Sequence, residues 1–169
     1  MLLGVSVLLL LIQAEFDNRE LIAVALIVFG TILDFLDGYL ARKLNAVSEN
    51  GKQLDSFADL ITFGIAPICL IFYSSLCGHS IVSLIAITGG CAIYVIAGAY
   101  RLARFNLSDD TGFYKGLPIT IAGGVLSLYC VALFYFAREQ HSSFFLIFTI
   151  VILILLSLLM VCKFRIKKL

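Results

Sequence analysis

Asp34, Asp37, Asp55 and Asp59 stand inside or at the ends of hydrophobic segments, in a chain that is 62% hydrophobic. A carboxylate in such a setting costs at least ~2.5–3.5 kcal/mol on membrane-insertion scales. Four close together also repel one another, so something must compensate them, and bound divalent metal is the natural compensator for a carboxylate-only set. Asp34 and Asp37 are three residues apart; at ~100° per residue they share a helix face about 60° wide. Gly51, Asp55 and Asp59 step by four along one face of a second helix. If a turn over residues 45–50 joins the two helices, the acidic faces can meet as a cup of hard oxygen ligands with room for two Mg²⁺ or Mn²⁺ ions. No His or Cys intervenes, which argues against zinc or iron.

The small residues beside the carboxylates fit the same picture. Gly38, Ala41 and Gly51 leave the helix surface bare, so a bulky or phosphorylated ligand could approach the backbone. Arg42 adds a planar fork suited to phosphate.

Long apolar elements must position these residues. The chain has 169 residues, of which only 14% are charged, and its mean hydropathy is +1.07. That is far more apolar than a soluble domain. It reads as an all-α polytopic membrane protein, one domain over residues 1–169, with six transmembrane helices. The expected spans are 1–14, 21–44, 51–76, 81–105, 118–137 and 144–162. The first is shorter than the ~20 residues a full crossing needs and lacks the marks of a signal peptide, so it reads as a short or truncated helix. Pro67 is expected to kink the third span or loosen its hydrogen-bond ladder, and Pro118 to open the fifth. A net charge of +1 implies no nucleic-acid partner. Cys69, Cys77, Cys91, Cys130 and Cys162 lack metal-ligand spacing and read as small core residues. His79 and His141 read as loop residues rather than ligands.

Six spans put both termini on one side. Arg42, Lys43, Lys52, Arg101, Arg104, Lys115, Lys163, Arg165, Lys167 and Lys168 fall on that side, against Arg19 and Arg138 opposite. The positive-inside rule makes the terminal side cytoplasmic and puts the aspartates in the cytoplasmic half of a cell membrane. The terminal KFRIKKL reads as a topology anchor touching anionic headgroups. Arg101 and Arg104, three apart, share a face at the cytoplasmic end of the fourth span, with Lys115 and Gly116 just before Pro118. Positive-inside anchoring explains any one of these cations. Together they could instead form a basic pocket for a carboxylate or a phosphate.

The pattern D-x-x-D-G-x-x-A-R-x8-G-x3-D-x3-D is filled at every fixed position by Asp34, Asp37, Gly38, Ala41, Arg42, Gly51, Asp55 and Asp59. It resembles the signature of the CDP-alcohol phosphatidyltransferases. ITFGIAP, RLARFN and KGLPIT, further on, resemble the phosphatidylserine synthase branch of that family. With them the resemblance runs from about Leu33 to Gly124; the last helix carries no signature. The resemblance implies transfer of a phosphatidyl group from CDP-diacylglycerol to a hydroxyl, that of L-serine in this branch, with release of CMP. It implies two divalent cations on Asp34, Asp37, Asp55 and Asp59, with Asp59 also the general base. It implies CDP-lipid contacts at Gly38, Arg42, Ser48 and Gly51, an acceptor carboxylate near Arg101, Arg104 or Lys115, and a homodimer.

Rival readings stay open at this point. Glycerol 3-phosphate or an inositol phosphate as acceptor keeps the chemistry, and the cation count does not exclude either. A divalent-cation transporter would use the aspartates as a selectivity site, although Arg42 is an odd neighbour for a cation path and only one acidic cluster is found. A purely structural polar network leaves the fixed spacing unexplained.

Overall fold

The structure is a computed structural model of the chain; it describes residues 2–13, 19–44, 48–74, 81–107, 113–136, 143–162 and 165–167. Within that set the side chains of residues 2, 12, 13, 19, 41, 42, 113–115, 136, 143 and 165–167 are not described. The expectations for His79, His141, Cys77 and Arg138 lie outside the described residues.

Backbone in lipid has no water to bond, so apolar stretches close their own hydrogen bonds as helices. Among the described residues seven α-helices form: α1 (Leu2–Gln13), α2 (Arg19–Lys43), α3 (Glu49–Asp59), α4 (Ala66–Tyr73), α5 (Ile81–Asn106), α6 (Ile119–Phe136) and α7 (Ser143–Val161). Four stretches among the described residues are long and apolar enough to cross a membrane: Glu20–Leu40, Glu49–Tyr73, Ile81–Asn106 and Phe144–Val161. A shorter apolar helix covers Ile119–Tyr135, and α1 has 12 residues. The chain is therefore an all-α polytopic membrane protein, and the two spans short of a full crossing length are the first and fifth of the expected six.

The stretch Glu49–Tyr73 is one rod of three parts. Between α3 and α4 lies a π-helical segment, Leu60–Ile65, in which the Ala66 N–H bonds back five residues to Ile61 O. The sequence expectation of a disturbed ladder at Pro67 is met here, but as a widened turn just before the proline. Pro67 has no N–H to give to Phe63 O, four residues earlier. That carbonyl instead accepts a hydrogen bond from the Tyr94 hydroxyl of α5, at 3.0 Å.

The π segment is the hub of the bundle. Thr62, Phe63 and Gly64 are buried, and the segment touches α1, α2, α5 and α6 besides its own neighbours. Two glycines allow the approach. A Cβ on Gly123 of α6 would lie 2.6 Å from Phe63 O, and one on Gly4 of α1 would lie 2.6 Å from Thr62 Oγ1. Elsewhere α5 packs along α7, α1 along α2, and α2 along α6.

At the far end of α7 the last carbonyls need donors from outside the helix. The Leu117 N–H gives one to Leu159 O at 3.1 Å. Arg104 Nη1 gives another to Val161 O at 3.1 Å, a cation where the helix dipole is negative. Gly116 fits between them with φ +84°, its α-carbon facing Met160 O and Cys162 O, where any side chain would collide. The stretch 106–117, between the fourth and fifth expected spans, contains a three-residue strand β1 (Phe113–Lys115), antiparallel to β2 (Arg165–Lys167) with Tyr114 opposite Ile166.

Candidate active site

Helix α2 carries Asp34, and α3 carries Asp55 and Asp59. One carboxylate oxygen from each lies within 4.8 Å of the other two. The start of α3 is fixed locally: Ser48 caps it in extended conformation, its Oγ accepting the Gly51 N–H at 3.0 Å. A Cβ at Gly51 would sit 2.9 Å from that oxygen. Ser48 and Gly51 thus serve first to start the helix that presents Asp55 and Asp59. Helix α3 has no buried residue, so the acidic face opens outward, while Asp34 and Asp59 are half-buried at its base.

Asp34 and Asp59 are close enough for their carboxyl groups to hydrogen-bond to each other. Two carboxylates in such contact need a proton or a cation between them. Asp37 is exposed, one turn along α2; it stands outside the triad but exerts its negative field on both Asp34 and Asp55. The positive field on Asp59 comes from Arg101 of α5. Arg101 is only 8% exposed, and its guanidinium lies over the Phe105 ring, 5.5 Å from the centroid.

Among the cations singled out in the sequence, the structure therefore separates two. Arg101 acts electrostatically on Asp59. Arg104 turns to the end of α7, donating to Val161 O, with its guanidinium 5.8 Å from the Tyr100 ring centroid. The side chains of Arg42 and Lys115 lie outside the described residues. Gly38 meets the expectation of a bare surface: a Cβ there would touch nothing within 4 Å.

Three participants escaped the sequence reading. Ser56, between two of the aspartates, is tied to Asn106, the last residue of α5, whose Nδ2 donates to Ser56 Oγ at 2.9 Å. The link binds the acidic helix to the helix that bears Arg101; its only sequence signal was Asn106 closing RLARFN. Tyr94, a fully buried tyrosine in an apolar run, was legible only as core.

Asp34, Asp55 and Asp59 fit a divalent cation. They supply hard oxygen donors only, close to one another, with Arg101 the described cation that acts on Asp59 and one open side. The fold and this triad define a class: an all-α integral membrane protein with a carboxylate centre in its helical bundle. The model of the CDP-alcohol phosphatidyltransferase family matches residues 1–164, and the chain belongs to that family. It is 45% identical over 103 residues to the CDP-diacylglycerol–serine O-phosphatidyltransferase of Bacillus subtilis, an alignment covering 60% of this chain and 55% of the relative. It is 38% identical over 147 residues to the enzyme of the same name from Helicobacter pylori, covering 83% and 58%. It is 32% identical over 146 residues to the archaetidylserine synthase of Methanothermobacter thermautotrophicus, covering 85% and 60%. The chain thus spans rather more than half the length of these relatives. No solved structure matches it.

Proposed function

We infer that this protein transfers a phosphatidyl group from CDP-diacylglycerol to the hydroxyl of L-serine, forming phosphatidylserine and releasing CMP. The observation that carries the reading is the oxygen-only triad of Asp34, Asp55 and Asp59 inside a matched family frame. The serine acceptor is supported by the names of the relatives above and by a buried cation, Arg101, beside the triad.

Two divalent cations, Mg²⁺ or Mn²⁺, held by Asp34, Asp37, Asp55 and Asp59, would neutralise the diphosphate and the leaving CMP. Asp59 takes the proton of the acceptor hydroxyl. The freed oxygen attacks the phosphatidyl phosphorus, and the bond from that phosphorus to the CMP oxygen breaks. Arg101 holds the acceptor carboxylate, with Arg104 and Lys115 further cations on that side. Gly38 leaves room for the CDP moiety beside Arg42. Ser48 and Gly51 shape the same wall from the start of α3. The acyl chains lie against the apolar outer faces of the helices, in the bilayer. The active site faces the cytoplasm, where serine is found, and the working unit is a homodimer.

The test is CMP release by purified protein in detergent with CDP-diacylglycerol and Mn²⁺, adding L-serine, glycerol 3-phosphate or an inositol phosphate singly. Release with serine alone is expected, abolished by EDTA and restored by Mn²⁺. Release only with a phosphorylated acceptor would keep the chemistry and discard serine. Silence with all three would overturn the transferase reading.

A further inference from the structure

We propose that Tyr94 is a positioning residue for the aspartate centre: its hydroxyl, bound to Phe63 O, holds open the π turn that sets Asp59 against Asp34 and Arg101. The proposal deepens the transferase reading and rests on it for its catalytic consequences.

The argument begins with the backbone. A π turn accommodates one residue more than an α turn, so it shifts the phase between the helix before it and the helix after it by about 100°. Here Asp59 is the residue just before the π segment, and the buried face of α4 comes just after it: Ala66, Pro67, Ile68, Leu70 and Ile71. Because α4 is anchored in the core, the π turn decides which way Asp59 faces. An α-helical turn in its place would keep α4 buried and swing Asp59 round by about one residue.

π turns are uncommon and need outside support. The support is specific. Pro67 withholds the N–H that would close Phe63 O into an α turn. The Tyr94 hydroxyl takes that carbonyl at 3.0 Å, with Tyr94 completely buried. Gly123 lets α6 lie against the Phe63 backbone on another side. Tyr94 and Arg101 also lie on one buried face of α5 with Ala97 and Gly98, two turns apart. One hydrogen bond therefore fixes the rotation of the aspartate rod and its register against the helix that carries Arg101.

A tyrosine that merely satisfies a carbonyl and one that holds a register predict different results, and Pro67 separates them. Alanine at 67 supplies a backbone N–H that an α turn directs at Phe63 O. Four forms of the full chain in detergent are compared: wild type, Pro67→Ala, Tyr94→Phe, and the double variant. The readouts are Mn²⁺ affinity by electron paramagnetic resonance without substrate, thermal unfolding, and kcat and KM for CMP release.

Pro67→Ala, with Tyr94 in place, is expected to bind Mn²⁺ as wild type does. Adding Tyr94→Phe to it should weaken Mn²⁺ affinity about 10-fold and lower kcat by a similar factor, the usual effect of losing a residue that orients ligands from behind. KM for the acceptor should stay within about 2-fold, since no substrate contact is removed. Unfolding temperature should match Pro67→Ala, because Phe63 O keeps a donor. Should Tyr94→Phe alone fail to fold, the two proline variants still decide. Equal Mn²⁺ affinity and kcat in Pro67→Ala and the double variant would overturn the proposal. Mn²⁺ affinity is measured without substrate, so silence of wild type toward every acceptor would sink the transferase reading and leave the role of Tyr94 still decided by the metal.

Discussion

Three carboxylates and one guanidinium define the centre, and each can be questioned by itself. Asp59→Asn keeps the shape but replaces one carboxylate oxygen by an amide nitrogen and loses the capacity to take a proton. Its turnover should fall by about 10²–10⁴-fold, while CDP-lipid still binds in an equilibrium assay; full turnover in the variant would remove Asp59 from the base role. Arg101 and Arg104 make a sharper pair, because they share a motif and a helix but not surroundings. Arg101→Ala removes the cation that faces Asp59 and should raise KM for serine well above its effect on KM for CDP-diacylglycerol. Arg104→Ala removes a donor to Val161 O and should lower thermal stability by about 1–2 kcal/mol, with KM for serine little changed. Steady-state kinetics and thermal unfolding of the two variants check this, and a larger serine KM effect at Arg104 would reverse the assignment.

Among the elements, the rod Glu49–Tyr73 matters most, and its middle is held by close backbone approach. Gly123→Ala would push a methyl to 2.6 Å from Phe63 O. Overpacking of this kind costs about 1–3 kcal/mol, so a lower unfolding temperature is expected, with weaker Mn²⁺ binding as the π segment is displaced. A stable variant with unaltered metal binding would show that α6 can give way instead. The limits of the sequence lie in this same rod. Its length, its polarity and the stepping of Gly51, Asp55 and Asp59 were legible, because helical periodicity is written in single residues. That Asp34, rather than Asp37, closes the triad was not legible, since both lie on one face and only the docking of α2 against the rod selects between them. Pro67 announced a disturbed ladder, yet not its form, because the donor that stabilises the widened turn comes from Tyr94, 31 residues away. Nothing in the local pattern sets glycines 4 and 123 apart from other small residues of a membrane helix. The pairing of β1 with β2 joins stretches at two distant points of the chain, which no local pattern reveals.

For the molecule as a whole, orientation is the property that links the fold to its substrates. On the transferase reading proposed above, a water-soluble acceptor and CMP would enter and leave at the side where α3 opens outward, and α3 begins at an exposed Ser48. Ten of the twelve Lys and Arg in the chain are expected on the side of the aspartates, and the positive-inside rule predicts that this side faces the cytoplasm. The exposed Cys162 lies just past α7, on the side where Arg104 meets the helix end. Both positions should therefore share one compartment. Wild type and a Ser48→Cys, Cys162→Ser variant, each expressed in a bacterial membrane, are treated with a membrane-impermeant maleimide. Inverted vesicles should label at Cys162 in the first and at position 48 in the second, whereas intact cells should label at neither. Labelling of position 48 in intact cells would put the aspartate centre outside. That orientation would deny it cytoplasmic serine, so the acceptor assignment would fall with the topology, whereas the carboxylate triad itself would stand.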